Sequence, residues 1–136
     1  KGVVRPDDAV LAQRHGARGV IVSNHGGRQL DGSPATARVL PAISQALAAA
    51  TAGRDPARMA LLVDGGIRRG VDVLRALALG ADAVLIGRPV LWGLTVGGEA
   101  GVRRVLELLR HEFTVAMALA GCRSVDEISR DLLDSD

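Results

Sequence analysis

The chain has 136 residues, 48% hydrophobic and 24% charged, a balance that supports one cored domain and argues against disorder. Lys and Arg exceed the acids by only two, and one Trp, one Phe and no Tyr offer no stacking platform, so binding to nucleic acid is not expected. No apolar run approaches the roughly eighteen residues of a membrane helix, no signal-peptide pattern is present, and the single Cys122 excludes an internal disulfide or a Cys-rich metal site. A cytoplasmic protein without membrane contact or metal is the expectation.

Pro6-Asp7-Asp8 places a proline and two acids where a helix start favours them, and predicts a helix from 6 to about 15 that Gly16 stops. Gly16-Ala17-Arg18-Gly19-Val20-Ile21-Val22-Ser23 then reads as a helix exit and a short strand, a plan that returns in Gly80-Ala81-Asp82-Ala83-Val84-Leu85-Ile86-Gly87. From 36 to about 50 an Ala- and Leu-rich segment predicts a second helix, with Pro41 marking a later start or a kink. The Gly-, Pro- and Arg-rich stretch 51–58 is expected to be a surface loop. Ala60-Leu61-Leu62-Val63 is too short for a helix and stands between breakers, so it reads as a buried strand. Residues 70–79 follow as a helix with Val71, Leu74, Leu77 and Ala78 on one face and Gly80 at its end. Beyond Ile86, a Gly-rich stretch 93–101 is expected to precede an amphipathic helix from about 102 to 120. Ser124 is expected to cap a last helix through 133.

Some chemically conspicuous residues have plain structural readings. Trp92 is expected to anchor packing after the last strand, and Cys122 to be a buried thiol rather than a nucleophile. Arg103, Arg104 and Arg110 form a solvated helix face, and His15 and His111 lack partners at metal-ligand spacing.

Strands this apolar occur in parallel sheets covered by helices, and the alternation of strand and helix leaves an open doubly wound sheet or a (β/α) barrel. A whole barrel takes about 250 residues, so the chain holds about half of one, four βα units counting a first strand cut off before Lys1, plus C-terminal helices. The exposed edges of such a half-barrel would have to pair with the missing half or with another copy of the chain.

Ligands in these folds gather where strands end. Ser23-Asn24-His25-Gly26-Gly27-Arg28-Gln29-Leu30-Asp31 puts a candidate base, His25, three residues before Arg28, whose planar fork matches a carboxylate. The plainer alternative is a polar loop in which both side chains satisfy backbone carbonyls. Asp64-Gly65-Gly66-Ile67-Arg68-Arg69-Gly70 opens a helix directly after a strand, where backbone N–H groups and the dipole favour an anion. Gly87-Arg88 repeats that chemistry at the next strand end, and together the two loops suggest a phosphate site.

On Lys1-Gly2-Val3, the Ser23 to Asp31 motif, Asp64-Gly65-Gly66-Ile67-Arg68 and Gly87-Arg88, the chain resembles the FMN-dependent α-hydroxy acid oxidase and dehydrogenase family, which includes glycolate oxidase, lactate oxidase and mandelate dehydrogenase. The resemblance runs over the whole chain but covers only the last four βα units of that family's (β/α)8 TIM barrel. It implies FMN as cofactor, a small L-2-hydroxy acid as substrate, a 2-oxo acid as product, and a homo-oligomer. For single residues it implies His25 as the catalytic base and Arg28 as the partner of the substrate carboxylate. Lys1 would lie beside flavin N1 and O2, and Ser23 against the flavin ring. Asp64 would accept from a ribityl hydroxyl, and Gly65, Gly66, Ile67, Arg68, Gly87 and Arg88 would cradle the phosphate. The family's first half-barrel supplies tyrosines near the substrate and an aspartate that orients the histidine, none of which this chain contains. The residues alone also permit a flavin-free barrel enzyme with a phosphorylated substrate, or a non-catalytic half-barrel that assembles with a partner.

Overall fold

The computed structural model describes residues 1–51 and 59–133. Its centre is a parallel sheet of β1 (Gly19–Val22), β2 (Ala60–Val63) and β3 (Ala83–Val84) in that order, with Val22 level with Val63 and Val63 with Val84. Val3 bridges to Val22 on the free edge of β1, where the Gly2 amide donates to the Ile21 carbonyl at 3.2 Å and Ser23 N to Val3 O at 3.3 Å. This isolated bridge stands on the edge where the first strand of the four expected units would pair. The third apolar run is shorter than its sequence suggests: beyond Val84 only the Leu85 amide continues the ladder, donating to Val63 O at 2.9 Å.

Helices α1 (Pro6–Arg14), α2 (Thr36–Thr51) and α3 (Gly70–Ala78) each fill the crossover between neighbouring strands, and α4 (Arg88–Leu119) follows β3. The period of two along a strand sorts the core. Val20, Val22, Leu61 and Val63 are buried with Ala9 of α1, Leu40, Ile43 and Leu47 of α2 and Ala76 of α3, whereas Ile21 and Leu62 on the opposite face are only partly covered. The sheet thus has one closed face under the helices and one open face, the α/β pattern of a partial (β/α)8 barrel. No helix among the described residues is long and apolar enough to cross a membrane.

Several local expectations change. Pro41 lies inside α2 and neither delays nor breaks it: the helix begins at Thr36 and runs through, forgoing one hydrogen bond. On α3 the buried side chains are Leu74, Ala76 and Ala78, while Val71 is 36% exposed. The loop expected at 51–58 has its first residue, Thr51, as the end of α2, and 52–58 lie outside the described residues.

The Gly-rich stretch 93–101 is helix on both sides of a break at Gly97 and Gly98, where φ turns to +55°. Its outer glycines allow close approach of two helical arms: a Cβ on Gly93 would stand 2.7 Å from the Gly101 carbonyl oxygen. The helix expected from about 102 is thus preceded by a second helical arm that crosses it at these glycines. At the C-terminus no single helix follows Ser124, whose side chain makes no capping bond. Two 3-10 turns, Val125–Glu127 and Arg130–Leu132, are separated by extended Ile128 and Ser129, since neither half is long enough to nucleate an α-helix. Cys122 is buried as expected, and His15, His111, Arg103, Arg104 and Arg110 are exposed.

The start of α3 is pressed against α4. Gly70 is buried, its amide donates to Glu112 Oε2 at 2.9 Å, and a Cβ at this position would collide with the backbone of Glu112 and Phe113. Gly70→Ala gains at most about 1 kcal/mol of helix propensity but overpacks this contact by about 1–3 kcal/mol. The expected outcome is a net loss of stability in denaturant unfolding, and an unchanged or raised midpoint would contradict the close approach.

Candidate functional site

The level ends of the parallel strands bring residues distant in sequence to one rim. Immediately after β1, Ser23 is 1% exposed, and its hydroxyl oxygen accepts hydrogen bonds from Lys1 Nζ at 2.7 Å and from the His25 amide at 3.1 Å. The same Lys1 ammonium pairs with Asp64 Oδ2 at 2.7 Å, immediately after β2. One charged group, next to the segment that bridges to β1, thereby ties the ends of β1 and β2 together with short, charge-assisted bonds. With both lone pairs of the Ser23 oxygen engaged, only its proton remains to offer a ligand. The other carboxylate oxygen, Asp64 Oδ1, is buried and has no hydrogen-bond partner.

His25 has a positive φ of 56°, a conformation few non-glycine residues adopt and one that accumulates at functional sites. Its imidazole lies over Gly2, so closely that a Cβ there would stand 2.7 Å from Nε2. Gly2 itself has φ +93°, so the position demands glycine both for its backbone and for the ring above it. Asn24 shapes the loop around the histidine: its Oδ1 accepts from Gly26 N at 3.1 Å, and its Nδ2 donates to Pro34 O at 3.1 Å.

The anion-binding expectation for residues 64–70 shifts by one turn. The amides of Arg68 and Arg69 donate to Asp72 Oδ2 at 3.0 and 2.9 Å, and that of Gly70 to Glu112, so the protein's own carboxylates already cap α3. Among the described residues, the amides of Gly66, Ile67, Gly87 and Arg88 have no protein acceptor and remain as donors. The Arg68 guanidinium sits 5.9 Å from the Trp92 ring centre. Trp92 is 51% exposed, so it supports an arginine at the rim instead of anchoring the core.

A cleft of about 810 Å³ runs across this rim, with Lys1, His25, Arg28, Asp64, Arg68 and Arg88 among its walls. That volume lies within the range of small-molecule and cofactor sites. The structure brings every residue singled out from the sequence to this rim. Lys1, Ser23, His25 and Asp64 form one bonded group, and Arg28, Gly65, Gly66, Ile67, Arg68, Gly87 and Arg88 line the cleft. Ser23 stands beneath the cleft, and Ile67 also packs against the core.

Residues 1–135 match the family described as FMN-dependent dehydrogenase. The chain belongs to the FMN-dependent dehydrogenase family. It is 52% identical over 133 residues to human 2-hydroxyacid oxidase 1 and 54% identical over 133 residues to L-lactate oxidase of Nostoc sp., covering 98% of this chain and 34% of each relative. Glycolate oxidase of Spinacia oleracea is 53% identical over 136 residues, which is 100% of this chain and 35% of that protein. The crystal structure of mandelate oxidase superposes with a TM-score of 0.86 at 50% identity, covering 95% of this chain and 35% of that one. The chain thus spans about a third of the length of these relatives.

In this dehydrogenase-family chain, sequence alone assigns no role to Gly2, Asn24, Thr36, Asp72 or Glu112. Gly2 and Asn24 stand inside the motifs, so their neighbours were the available signal. Asp72, three residues after Arg69, had the spacing of a helix-start acid. Glu112 acts across the fold and left no local trace.

Gly2→Ala is expected to displace the His25 imidazole. In the NMR spectrum the His25 Cε1–H resonance should move, while those of His15 on the end of α1 and His111 on α4 stay in place. An unshifted His25 signal would contradict the ring's position over Gly2.

Proposed function

We propose that residues 1–136 form the C-terminal half-barrel of an FMN-dependent enzyme that oxidises an L-2-hydroxy acid to a 2-oxo acid. The observation that carries this reading is the bonded group of Lys1, Ser23, His25 and Asp64 at the ends of β1 and β2, beside a cleft that Arg28 also lines. An exposed histidine at positive φ beside that ion pair and Arg28 favours this reading over a flavin-free barrel enzyme or a purely assembling half-barrel.

The residues present fit FMN by their chemistry. The buried, unpartnered Asp64 Oδ1 needs a donor, and a hydroxyl of the ribityl chain would satisfy it. The free amides of Gly66, Ile67, Gly87 and Arg88, with the Arg68 and Arg88 guanidiniums, suit a phosphate. When bound, FMN takes up the two electrons that leave the substrate.

Around that transfer the side chains have separable tasks. The Arg28 fork binds the substrate carboxylate with two parallel bonds and so fixes which face of the α-carbon is presented. His25 accepts one of the two hydrogens that the substrate loses, as a proton, while its hydroxyl carbon becomes a carbonyl; the other would leave with the electron pair that FMN takes up or pass to solvent. Lys1, fixed by Ser23 and Asp64, holds a positive charge where negative charge develops. The unpaired edges of β3 and of the Val3 segment, and the exposed Leu91, Leu94 and Val96, suit a partner that completes the barrel. The one-third coverage of the relatives favours the remaining segment of a longer protein over a second copy of the chain.

In the complete protein, His25→Gln is expected to lower the rate of flavin reduction by 2-hydroxy acids by about a thousandfold, with FMN affinity little changed. Turnover at the wild-type rate would remove the base assignment. Arg28→Lys should raise KM by roughly tenfold or more, because a point charge cannot reproduce the fork. Unchanged KM and kcat would refute the carboxylate clamp.

A further inference from the structure

The proposed roles leave a buried hydroxyl unexplained. Thr36, the first residue of α2, is 3% exposed, and a hydroxyl so deeply buried needs a hydrogen-bond partner. Thr36 Oγ1 donates to the main-chain carbonyl of Asp64 at 2.5 Å, 28 residues along the chain. No other donor to that carbonyl is present among the described residues. The adjoining Gly65 makes room for the contact: it has φ +95°, and a Cβ there would stand 2.9 Å from Thr36 Oγ1 and 3.8 Å from Asn24 Oδ1. Asn24 in turn spans the neck of the loop, bonded to Gly26 on one side and Pro34 on the other.

The loop bearing His25 and Arg28 is thus closed at its neck by Asn24 and joined, through Thr36, to the peptide that carries the Asp64 carboxylate. We infer that Thr36 and Asn24 are positioning residues, a brace that holds the His25 loop in register with the Asp64 loop. Neither side chain lines the cleft that holds Lys1, His25 and Arg28. Thr36 acts through the Asp64 peptide, and so through the Lys1 ion pair; Asn24 acts through the path of the loop between His25 and Pro34. Their consequences therefore separate, with Thr36 governing the Asp64 side of the cleft and Asn24 the placement of His25 and Arg28.

This inference rests on the proposed FMN-dependent oxidation only for its kinetic consequences, so its test includes a readout that needs no flavin. In the complete protein, Thr36→Val keeps the shape and removes the hydroxyl, and Thr36→Ser keeps the hydroxyl and removes the methyl. A brace predicts that Thr36→Val speeds amide hydrogen exchange in residues 24–34 and 64–69 and weakens FMN binding by about tenfold, while Thr36→Ser stays within about twofold of wild type. A packing role predicts the reverse order. Asn24→Asp, which keeps the acceptor for Gly26 and loses the donor to Pro34, is expected to raise KM for the 2-hydroxy acid with FMN affinity retained. Should Thr36→Val fail to fold, Thr36→Ser and Asn24→Asp still decide. Wild-type behaviour of Asn24→Asp, or equal exchange and affinity in Thr36→Val and wild type, would overturn the brace. Failure of the wild-type protein to bind FMN would instead overturn the functional reading, with the exchange data still judging the brace.

Discussion

Everything at the rim depends on one ammonium group. Lys1 Nζ reaches both the Ser23 hydroxyl and the Asp64 carboxylate at 2.7 Å, and those two residues immediately follow β1 and β2. This is possible because the strands are parallel and level, so that their ends present side chains from successive βα units at one height. The constraint runs in both directions. Without Lys1, the mostly covered Asp64 carboxylate would lose its counter-charge, and Ser23 would lose one of the two donors that fix its oxygen. The His25 amide shares that oxygen, so the placement of the histidine is coupled to the same charge.

Around this point the fold separates its tasks. The helix-covered face of the sheet holds the packed core, while the rim carries charge, glycine and a non-glycine residue at positive φ. The start of α3 is closed by Asp72 and Glu112, which leaves anion-binding capacity to the preceding glycine turn and to the Gly87-Arg88 start of α4. Apolar side chains on the first arm of α4 and the uncovered sheet face are consistent with a barrel completed elsewhere. Completion would also exclude water from the cleft, strengthening every charged contact within it.

Much of this was legible in the sequence because the decisive features are local. Glycine exits announce the runs of β1 and β3, breakers bound the run of β2, and the density of His, Arg and Gly after β1 marks a functional loop. What escaped depends on contacts between distant segments. The crossing of α4 on itself leaves only a Gly-rich stretch in the sequence, because what requires those glycines is the approach of Gly93 to Gly101. Pro41 reads as a breaker, yet the buried Leu40, Ile43 and Leu47 carry the helix through it. Trp92 reads as core because it is aromatic, although its ring is half-exposed beside Arg68. The bond from Thr36 to Asp64 joins two loops whose separation along the chain conceals it.

The most direct measurement is a visible absorption spectrum of the complete protein supplied with FMN, before and after anaerobic addition of L-lactate, glycolate and L-mandelate. The account predicts a bound flavin band that at least one of these acids bleaches. A protein that stays colourless after supply of FMN, or a bound flavin that no 2-hydroxy acid bleaches, would contradict it.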